Sequence, residues 1–574
     1  MLRQPYILVL VTFVSLTSCG DKEDTAMHYE GDDPGECSDD ADNDRDGLFD
    51  CDDPDCSGAA ACQEADADTD TDADGDTDSD ADGDADGDTD TGMVSDQDGD
   101  GYISTDHGGD DCDDDDASIH PGAEDTWGDG IDQDCDGLAD TTYLTNADAI
   151  FLGEAENDNA GRSVSAAGDV NGDGYSDLLI GAYTESSISK YSGAAYIVHG
   201  PVTGEMSLAS ADAKLLGENE RSVAGFNLTG LGDMNADGFD DFVVGAMLAS
   251  SAFGDAPVAY LVHGPVSGEQ SLGDSDTKII GAEGACSFTG LAAAGDMDQD
   301  GFQDMLVGTS CESADGDLIG AAYVLHGPVT DVISTGDVAT KITAESSGDY
   351  GGSRVSGGAD VDGDGVFDVV VGAFFDATGG HEAGAAYLVT GPVGSVLSLV
   401  DADAKIAGDY GSWTGYSVAM AGDLDADGHT DVLIGSPQGE LMLGAVYVFY
   451  GPLEGDHAVA DADATYTGEN TSDMAGASVA AAGDMNADGF DDVVVGAYGE
   501  GDGGSAYLVY GPATGHQSLV SAAARLDGDS GMAGWDVAGA GDTNGDGLPD
   551  LIIGALHASY GTYQNGAAYL VLGR

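Results

Sequence analysis

The chain has 574 residues, and its 111 acidic residues so outnumber its 13 Lys and Arg that the formal net charge is −98. Nucleic acids are excluded as partners, because binding them requires cationic side chains that displace counterions. We expect divalent cations to offset the charge, and we expect no nucleotide cofactor. Acidity alone would favour disorder, yet 41% of the residues are apolar, which is ample for a packed core.

The N-terminal segment has the features of an export signal. One Arg precedes a short apolar run from Tyr6 to about Leu16, and small residues then lead to Cys19. The run is too short to span a membrane and suits a secretory signal peptide, which we place at residues 1–18. The string LTSC that ends at Cys19 resembles the bacterial lipobox. The resemblance implies that Cys19 becomes the lipidated N-terminus of an exported protein, anchored at the outer membrane or cell surface. An ordinary cleaved signal, with Cys19 incidental, is the alternative.

Three acidic segments follow the signal. Residues 19–36 are typical of a flexible tether, and residues 37–62 form a small acidic module with four cysteines. Residues 63–95 are rich in Asp that alternates with Ala, Thr, Gly or Ser. Because this segment has no apolar surface to bury and repels itself, we predict a disordered, extended linker. Weak condensation of cations on this polyanion is the alternative role.

A second acidic module, residues 96–140, contains two Asp-x-Asp-x-Asp-Gly loops around Cys112 and Cys135. Its string DCDD…PGAE…DGIDQDCDG resembles a metal-binding motif of secreted bacterial proteins. Ligands that are all oxygen atoms favour calcium over copper or zinc. We expect about three structural calcium ions in the two modules, and a metal-handling role is the alternative. The candidate ligands are Asp42, Asp44, Asp46, Asp50, Asp96, Asp98, Asp100, Asp132, Asp134, Asp136 and Asp140.

A long sequence period begins near Ala147. Each repeat carries an acidic loop and four short apolar runs rich in Val, Ile, Leu and Tyr, and no helical period interrupts them. The seven loops are separated by 64, 63, 64, 63, 61 and 58 residues. Four strands in each of seven repeats predict an all-β fold, a seven-bladed β-propeller over residues 147–574.

The two ends of this region predict how the ring closes. The sequence stops at Arg574, directly after the third apolar run of the last repeat, which leaves that blade one strand short. The missing type of strand lies at the other end, as ADAIFLGE at residues 147–154. We therefore predict that these residues complete the last blade.

Each acidic loop has the spacing of a calcium site. Positions 1, 3 and 5 carry side-chain oxygens, position 6 is Gly, position 7 can offer its carbonyl, and position 9 is Asp. Alternate residues of a tight turn face a common centre, and several hard oxygens there suit calcium. Asp, Asn and Gly also make good hairpin turns without a metal, but the clustered charges would then repel one another. We expect about seven calcium ions in the propeller. The candidate ligands at positions 1, 3, 5, 7 and 9 are Asp169, Asn171, Asp173, Tyr175, Asp177, Asp233, Asn235, Asp237, Phe239, Asp241, Asp296, Asp298, Asp300, Phe302, Asp304, Asp360, Asp362, Asp364, Val366, Asp368, Asp423, Asp425, Asp427, His429, Asp431, Asp484, Asn486, Asp488, Phe490, Asp492, Asp542, Asn544, Asp546, Leu548 and Asp550.

The first repeat, V.AAGDVNGDGYSDLLIGA…GAAYIVHGP, resembles the FG-GAP repeat of integrin α-subunit heads and of many bacterial exported proteins. In that family the loop binds calcium at the edge of a blade, and the resemblance implies the same for the loops here. The sequence departs from the name-giving pattern, since Gly-Ala-Pro is Gly181-Ala182-Tyr183 and the Phe-Gly pair is Gly225-Phe226 in the second repeat. We see neither an inserted adhesion domain nor a transmembrane segment, so the resemblance does not imply integrin-style signalling with a β-subunit.

Cysteine usage fits an oxidising compartment. Of nine cysteines, Cys19 is assigned to the lipid, and the remaining even number suits disulfides. Cys286 and Cys311 flank the third loop, so a hairpin there brings them together, and we predict that they pair. We also predict a disulfide between Cys112 and Cys135. The pairing of the other four stays open: Cys37, Cys51, Cys56 and Cys62.

A propeller on an acidic stalk favours a cell-surface adhesion scaffold that binds a surface protein or a glycan. A secreted enzyme, for example a polysaccharide-active one, is an alternative, but no nucleophile with its base stands out, and we expect no enzymatic activity. His199, His263 and His326 share one blade position before Gly-Pro, which favours strand-end packing over acid–base chemistry. A metal-sequestering surface protein is the third hypothesis.

Overall fold

The computed structural model describes residues 97–105, 109, 111–121, 123, 133, 135, 141–249, 256–275, 277–314, 317–394, 396–501 and 503–574. The chain divides into two units, Met1–Thr91 and Gly92–Arg574, and every described residue belongs to the second unit. The predicted signal, tether, first module and linker lie outside the described residues. So do Cys19 and these candidate ligands: Asp42, Asp44, Asp46, Asp50, Asp96, Asp132, Asp134, Asp136 and Asp140.

Residues 141–574 form seven β-sheets arranged as blades, which confirms the predicted seven-bladed propeller. The first strands of successive blades contact one another in a closed ring, so they line the central axis. In blades 1 to 7, strand 1 is Ala160–Gly168, Ala224–Gly232, Phe288–Gly295, Arg354–Ala359, Ser417–Gly422, Ser478–Gly483 and Ala533–Gly541. Strand 2 is Asp177–Ala182, Asp241–Ala249, Asp304–Ala314, Asp368–Ala373, Asp431–Ser436, Asp492–Ala497 and Asp550–Ala555. Strand 3 is Ala194–Val198, Ala256–Val262, Asp317–Leu325, Ala385–Val389, Ala445–Phe449, Ser505–Val509 and Ala567–Val571.

Strand 4 pairs with strand 3 and is preceded by a short 3-10 helix in each repeat. In blades 1 to 7, strand 4 is Ala213–Leu216, Thr277–Ile280, Thr340–Thr343, Ala404–Ala407, Ala464–Thr467, Ala524–Asp527 and Ala149–Leu152. The 3-10 helices are Leu144–Asn146, Leu208–Ser210, Leu272–Asp274, Thr335–Asp337, Leu399–Asp401, Val459–Asp461 and Leu519–Ser521. One four-residue α-helix, Gly439–Met442, lies between strands 2 and 3 of blade 5. Within the described residues, no helix is both long and apolar enough to cross a membrane.

Each sheet has a fifth strand, one more than the sequence predicted. It pairs in parallel with strand 4 but comes from the next repeat, from the segment between that repeat's strands 3 and 4. It is only three or four residues long and partly or largely exposed, and in most blades it is mainly polar, as in Gly204–Ser207, so it shows no apolar pattern that recurs in every repeat. In blades 1 to 7, strand 5 is Gly268–Ser271, Val332–Ser334, Val396–Ser398, Gly455–Ala458, Gly515–Ser518, Thr141–Tyr143 and Gly204–Ser207.

The N-terminal flank closes the ring in two sheets. Ala149–Leu152 pairs antiparallel with Ala567–Val571 and completes blade 7, as predicted. Thr141–Tyr143 also adds in parallel to the outer edge of blade 6. The chain end is fastened beside this joint, because Asp148 Oδ1 lies 2.6 Å from an Arg574 guanidinium nitrogen and its Oδ2 accepts from the Leu572 N–H at 3.0 Å.

Apolar side chains form seven clusters, each between two neighbouring blades. Strand 3 is buried throughout in most blades, so its near-continuous apolar sequence reflects burial on both faces. One Tyr per strand 3 is at most 3% exposed in every blade: Tyr196, Tyr260, Tyr323, Tyr387, Tyr447, Tyr507 and Tyr569. The blades are therefore joined by hydrophobic burial between sheets as well as by the shared strands.

A cation stands opposite this buried Tyr in five blades and neutralises acidic side chains. In blade 4, Lys405 Nζ lies 2.6 Å from Glu345 Oε2 and 3.3 Å from Asp376 Oδ2. The Tyr387 hydroxyl donates to the same two carboxylates at 2.9 and 2.8 Å. This cluster could not be predicted from the sequence, because its members lie on separate segments of the chain. The five cations are Lys214, Lys278, Lys341, Lys405 and Arg525.

In blade 6 the cluster contains a carboxyl group with an unusual pKa. Glu500 is 7% exposed, and burial, followed by its interaction with Asp473, raises its pKa to about 8. The folded pKa thus lies above the unfolded value of about 4.3. The protonated carboxyl therefore contributes stability below that value, and the contribution is lost as the pH rises through about 8.

We expect Glu500→Gln to make the free energy of unfolding less dependent on pH. Between about pH 5 and pH 8 the wild-type protein loses stability, because Glu500 ionises in the unfolded chain but stays protonated in the fold. Gln does not ionise, so the substitution should stabilise the protein by about 1–2 kcal/mol more at pH 8 than at pH 5. Urea unfolding at both pH values in saturating calcium measures this difference. The exposed Glu454 provides the matched control, Glu454→Gln. Equal pH dependence in the wild type and Glu500→Gln would contradict the prediction.

Candidate metal centres

Each acidic loop is the turn between strands 1 and 2 and folds around its first carboxylate. In blade 1, Asp169 Oδ1 accepts from the N–H of Asp173 at 3.0 Å, and Oδ2 accepts from the N–H of Gly174 at 2.9 Å. Asp173 accepts in turn from the N–H of Tyr175 at 3.0 Å. The loop backbone thus holds positions 1 and 5 in place. The position-1 carboxylates with the same two bonds in the other blades are Asp233, Asp296, Asp360, Asp423, Asp484 and Asp542.

The Asp at position 9 begins strand 2 and is fully buried in every blade. In blade 5, Asp431 Oδ2 accepts from the Leu424 N–H in the loop at 2.7 Å. Its Oδ1 accepts from the Gly451 N–H, in the turn after strand 3, at 2.9 Å. One carboxylate therefore ties two turns of the blade together. The equivalent residues with both bonds are Asp177, Asp241, Asp304, Asp368, Asp492 and Asp550.

The buried carboxylates at position 9 are electrostatically unfavourable in the protein alone. Burial raises the pKa of Asp177 and Asp368 to about 6, and that of Asp431 and Asp492 to about 7. Hydrogen bonds from the backbone oppose the shift, while nearby loop carboxylates add to it. A divalent cation beside these groups would favour their charged form, because it supplies the missing opposite charge.

Three loops bring their carboxylates close enough to share one ion. In blades 3, 4 and 5, three Asp residues each place an oxygen within 4.8 Å of the others. These blades have Asp at position 3, whereas the other four have Asn there. Since an Asn amide oxygen is also a hard ligand, the donor set fits calcium in all seven loops. The three groups are Asp296, Asp298 and Asp300; Asp360, Asp362 and Asp368; and Asp423, Asp425 and Asp431.

Two of the three histidines before Gly-Pro contact the acidic loops. His263 Nδ1 lies 2.9 Å from Asp241, and His326 Nδ1 lies 3.0 Å from Asp304. His199 instead lies 3.8 Å from Asp212. His326 also belongs to a group of possible ligands with Asp298 and Asp304. The sequence predicted that these histidines pack at the strand end. His263 and His326 also contact the buried Asp of the neighbouring acidic loop.

The side chain at position 7 of one loop packs against a glycine of the loop in the neighbouring blade. A Cβ added at Gly172 would lie 2.8 Å from the ring of Phe239 in the next blade, and one at Gly545 would lie 2.6 Å from the ring of Tyr175. Both glycines also have positive φ values, which glycine adopts without strain. Their backbone conformation and the close ring therefore both favour glycine. The role of the position-7 carbonyls as ligands stays a prediction.

The second acidic module gathers a different set of carboxylates from the one the sequence suggested. Oxygens of Asp98, Asp111 and Asp114 lie within 4.8 Å of one another. Asp111 is fully buried, and its Oδ2 has no hydrogen-bond partner among the described residues. A buried carboxylate oxygen of this kind fits a cation. Asp98 was a candidate ligand; Asp111 and Asp114 were missed because they lie in the run DCDDDD, outside an Asp-x-Asp-x-Asp-Gly loop. Asp100 is not part of this group.

Both disulfides that were proposed between described cysteines are present. Cys112 bonds to Cys135, with their Cα atoms 5.6 Å apart, close to the carboxylate group of the module. Cys286 bonds to Cys311, also with a Cα separation of 5.6 Å, and this bond joins the start of blade 3 to its second strand.

Family comparisons agree with the two kinds of site. The FG-GAP repeat model matches residues 160–198, 414–449, 475–509 and 533–571, which are strands 1 to 3 and the acidic loop in blades 1, 5, 6 and 7. The model described as “Putative metal-binding motif” matches residues 111–141. Four of the seven blades thus match the FG-GAP repeat, and the segment before the propeller matches a metal-binding motif.

Its curated relatives include integrin α chains. Integrin alpha pat-2 of Caenorhabditis briggsae is 29% identical over 218 residues, which are 34% of this chain and 17% of the integrin. Integrin alpha-5 of Xenopus laevis is 36% identical over 160 residues, 25% of this chain and 15% of the integrin. Integrin alpha-7 of Homo sapiens is 36% identical over 149 residues, 25% and 12% of the two chains. The propeller is integrin α-like, and the matches span less than a fifth of each relative.

Proposed function

We propose that this chain is an exported, calcium-binding propeller, anchored through a lipid on Cys19, that serves as a cell-surface adhesion scaffold. Its partner would be a surface protein or a glycan. The observation that carries the proposal is the sevenfold recurrence of a buried position-9 carboxylate beneath an acidic loop, in a propeller similar to integrin α chains. Loops of this kind hold a rigid scaffold together only where calcium is plentiful, which suits the outside of a cell.

We assign calcium a structural role and propose no catalytic one. Among the described residues, the histidines near the loops contact carboxylates of the loops themselves, which supports a role in the fold over acid–base chemistry. A secreted, polysaccharide-active enzyme remains the alternative within this class of exported protein. Sequestration of metal is the second candidate function, and the buried Asp111 carboxylate with its neighbours favours it.

Attachment of bacterial cells tests the adhesion scaffold. Cells that carry the full chain are expected to attach to plates coated with either envelope polysaccharide or envelope protein from the same cells, in millimolar calcium. Cys19→Ser should release the chain and abolish attachment, while an exposed substitution such as Glu454→Gln should not. Attachment that is equal with and without the displayed chain on both coatings would overturn the adhesion role.

A further inference from the structure

The axis of the propeller departs from the sevenfold repeat. Seven residues occupy one equivalent place, seven positions before the first Asp of each loop, and no two are alike. By contrast, the Asp at position 9 and the Tyr of strand 3 are the same in all blades. The residues that are identical in all blades serve the fold that the repeats share. A position with a different residue in every blade has no such common structural role. The seven residues are Arg162, Phe226, Thr289, Ser353, Tyr416, Ala477 and Trp535.

Four of these residues line a cavity of about 170 Å³ at the axis: Arg162, Tyr416, Ala477 and Trp535. That volume is far above the roughly 15 Å³ that one water needs. Its lining comes from residues at or just before the start of strand 1 in blades 1, 4, 5, 6 and 7, and from Tyr498 just after strand 2 of blade 6, so it lies toward the face opposite the acidic loops. Three aromatic rings form part of the wall: Tyr416, Tyr498 and Trp535.

Two guanidinium groups border this cavity. Arg162 stacks between aromatic rings, with Cζ 4.2 Å from the centre of the Phe226 ring and 5.3 Å from that of Trp535. No described residue accepts a hydrogen bond from its guanidinium. Arg354 Nη1 donates to the carbonyls of Ser353 and Thr289 at 2.9 and 3.2 Å, and its Cζ lies 5.6 Å from the Tyr416 ring. An Arg has five N–H donors, so both groups retain unused donors at the cavity.

One carboxylate, that of Asp536, also lines the cavity, and its oxygens accept hydrogen bonds from groups other than the two guanidinium groups. Asp536 Oδ2 accepts from the Val164 N–H at 2.9 Å, and Oδ1 accepts from the Ser478 hydroxyl at 3.3 Å. Burial lowers the pKa of Arg162 and raises that of Asp536, so both charges are poorly solvated. Two guanidinium groups and one carboxylate leave a net positive site in a chain whose net charge is −98.

We propose that this cavity is a binding site for a carboxylate group with a small apolar or aromatic body. The planar guanidinium groups match a carboxylate in shape and charge, and the rings supply an apolar wall. A single negative charge is favoured over a phosphate dianion, because Asp536 repels a second charge. The carboxylate belongs either to a free small acid or to an acidic side chain of a bound peptide. The site is independent of the adhesion role.

Calorimetric titration of the calcium-loaded full chain tests this site. The probes are benzoate and acetate as free acids, and a short peptide with blocked ends and one Asp, each at constant ionic strength against chloride. We expect benzoate or the peptide to bind and to change the fluorescence of Trp535, which lines the cavity. Tighter binding of benzoate assigns the site to a free acid, and tighter binding of the peptide assigns it to a partner side chain.

Variants separate the site from general charge effects. Arg162→Met and Arg354→Met should each weaken binding by about tenfold or more, because each removes a charge-assisted pair. Arg221→Met, at an exposed arginine outside the cavity, should leave binding unchanged. Arg354→Met, at the other side of the cavity, carries the test if Arg162→Met does not fold. Absence of binding by all three probes, or equal weakening in Arg221→Met, would overturn the proposal even if cell attachment were observed.

Discussion

Removal of calcium is expected to lower the melting temperature of the full chain by about 10–20 °C. Each loop with calcium well above its dissociation constant contributes about 1–3 kcal/mol. Seven such sites contribute about 7–21 kcal/mol, which rivals the net stability of a domain. For a propeller of about 430 residues, the entropy of unfolding converts each kcal/mol into about 1 °C.

Thermal unfolding followed by circular dichroism, with and without a chelator, measures this effect. Metal analysis of the dialysed, folded protein is expected to count about seven calcium ions, with one more for each occupied site in the acidic modules. Magnesium at the same concentration serves as the control, since it demands stricter octahedral geometry and is expected to protect less. An unchanged melting temperature with few bound ions would mean that the loops are hairpin turns that need no metal.

Asp431→Asn is expected to cost about 2–4 kcal/mol in saturating calcium, by far the largest effect of any single change in a loop. One buried backbone N–H, of Leu424 or Gly451, loses its acceptor, at a cost of about 1–3 kcal/mol. The loop also loses a charged ligand, so its calcium contributes less. In chelator the second part disappears, and the loss of an unfavourable buried charge offsets part of the first, so the cost should fall below that of the hydrogen bond alone.

The repeat itself supplies the matched control in the same loop. Asp425→Asn at position 3 removes one charge as well, but Asn stands there in blades 1, 2, 6 and 7. Its expected cost is below about 1 kcal/mol in calcium and near zero in chelator. Both variants are compared by denaturant unfolding under the two conditions. Equal costs for Asp425→Asn and Asp431→Asn would show that burial at position 9 does not matter.

The features that recur in every copy could be predicted from the sequence. The acidic loop, the Tyr of strand 3 and the four apolar runs repeat seven times, and their count and spacing lead to the number of blades and to the way Ala149–Leu152 closes the ring. The position-9 Asp was predicted to be a ligand, but its two backbone partners were not predicted. In blade 5, for example, the partner Gly451 lies about twenty residues after Asp431, in another turn, so no local sequence pattern links the two residues.

Features that depend on tertiary neighbours were missed for physical reasons. Strand 5 is short and in most blades mainly polar, as in Gly204–Ser207, and it gains its partner only from an adjacent blade. The Lys405 cluster brings together side chains from three segments. The cavity at the axis exists because five different blades meet there. Asp111 sits in an acidic run that looks like solvated surface, yet it is buried beside other carboxylates.

The origin of strand 5 means that a sequence repeat and a structural blade are different units. Gly515–Ser518, for example, follows strand 3 of blade 6 in the chain but lies at the outer edge of blade 5. A protease that cuts the connection between blades 5 and 6 would therefore leave two fragments that still share the sheets of blades 5, 6 and 7. The cut propeller should stay assembled in solution and separate into pieces only under denaturing conditions. Circularly permuted genes that begin at such a connection should, for the same reason, still encode a closed ring.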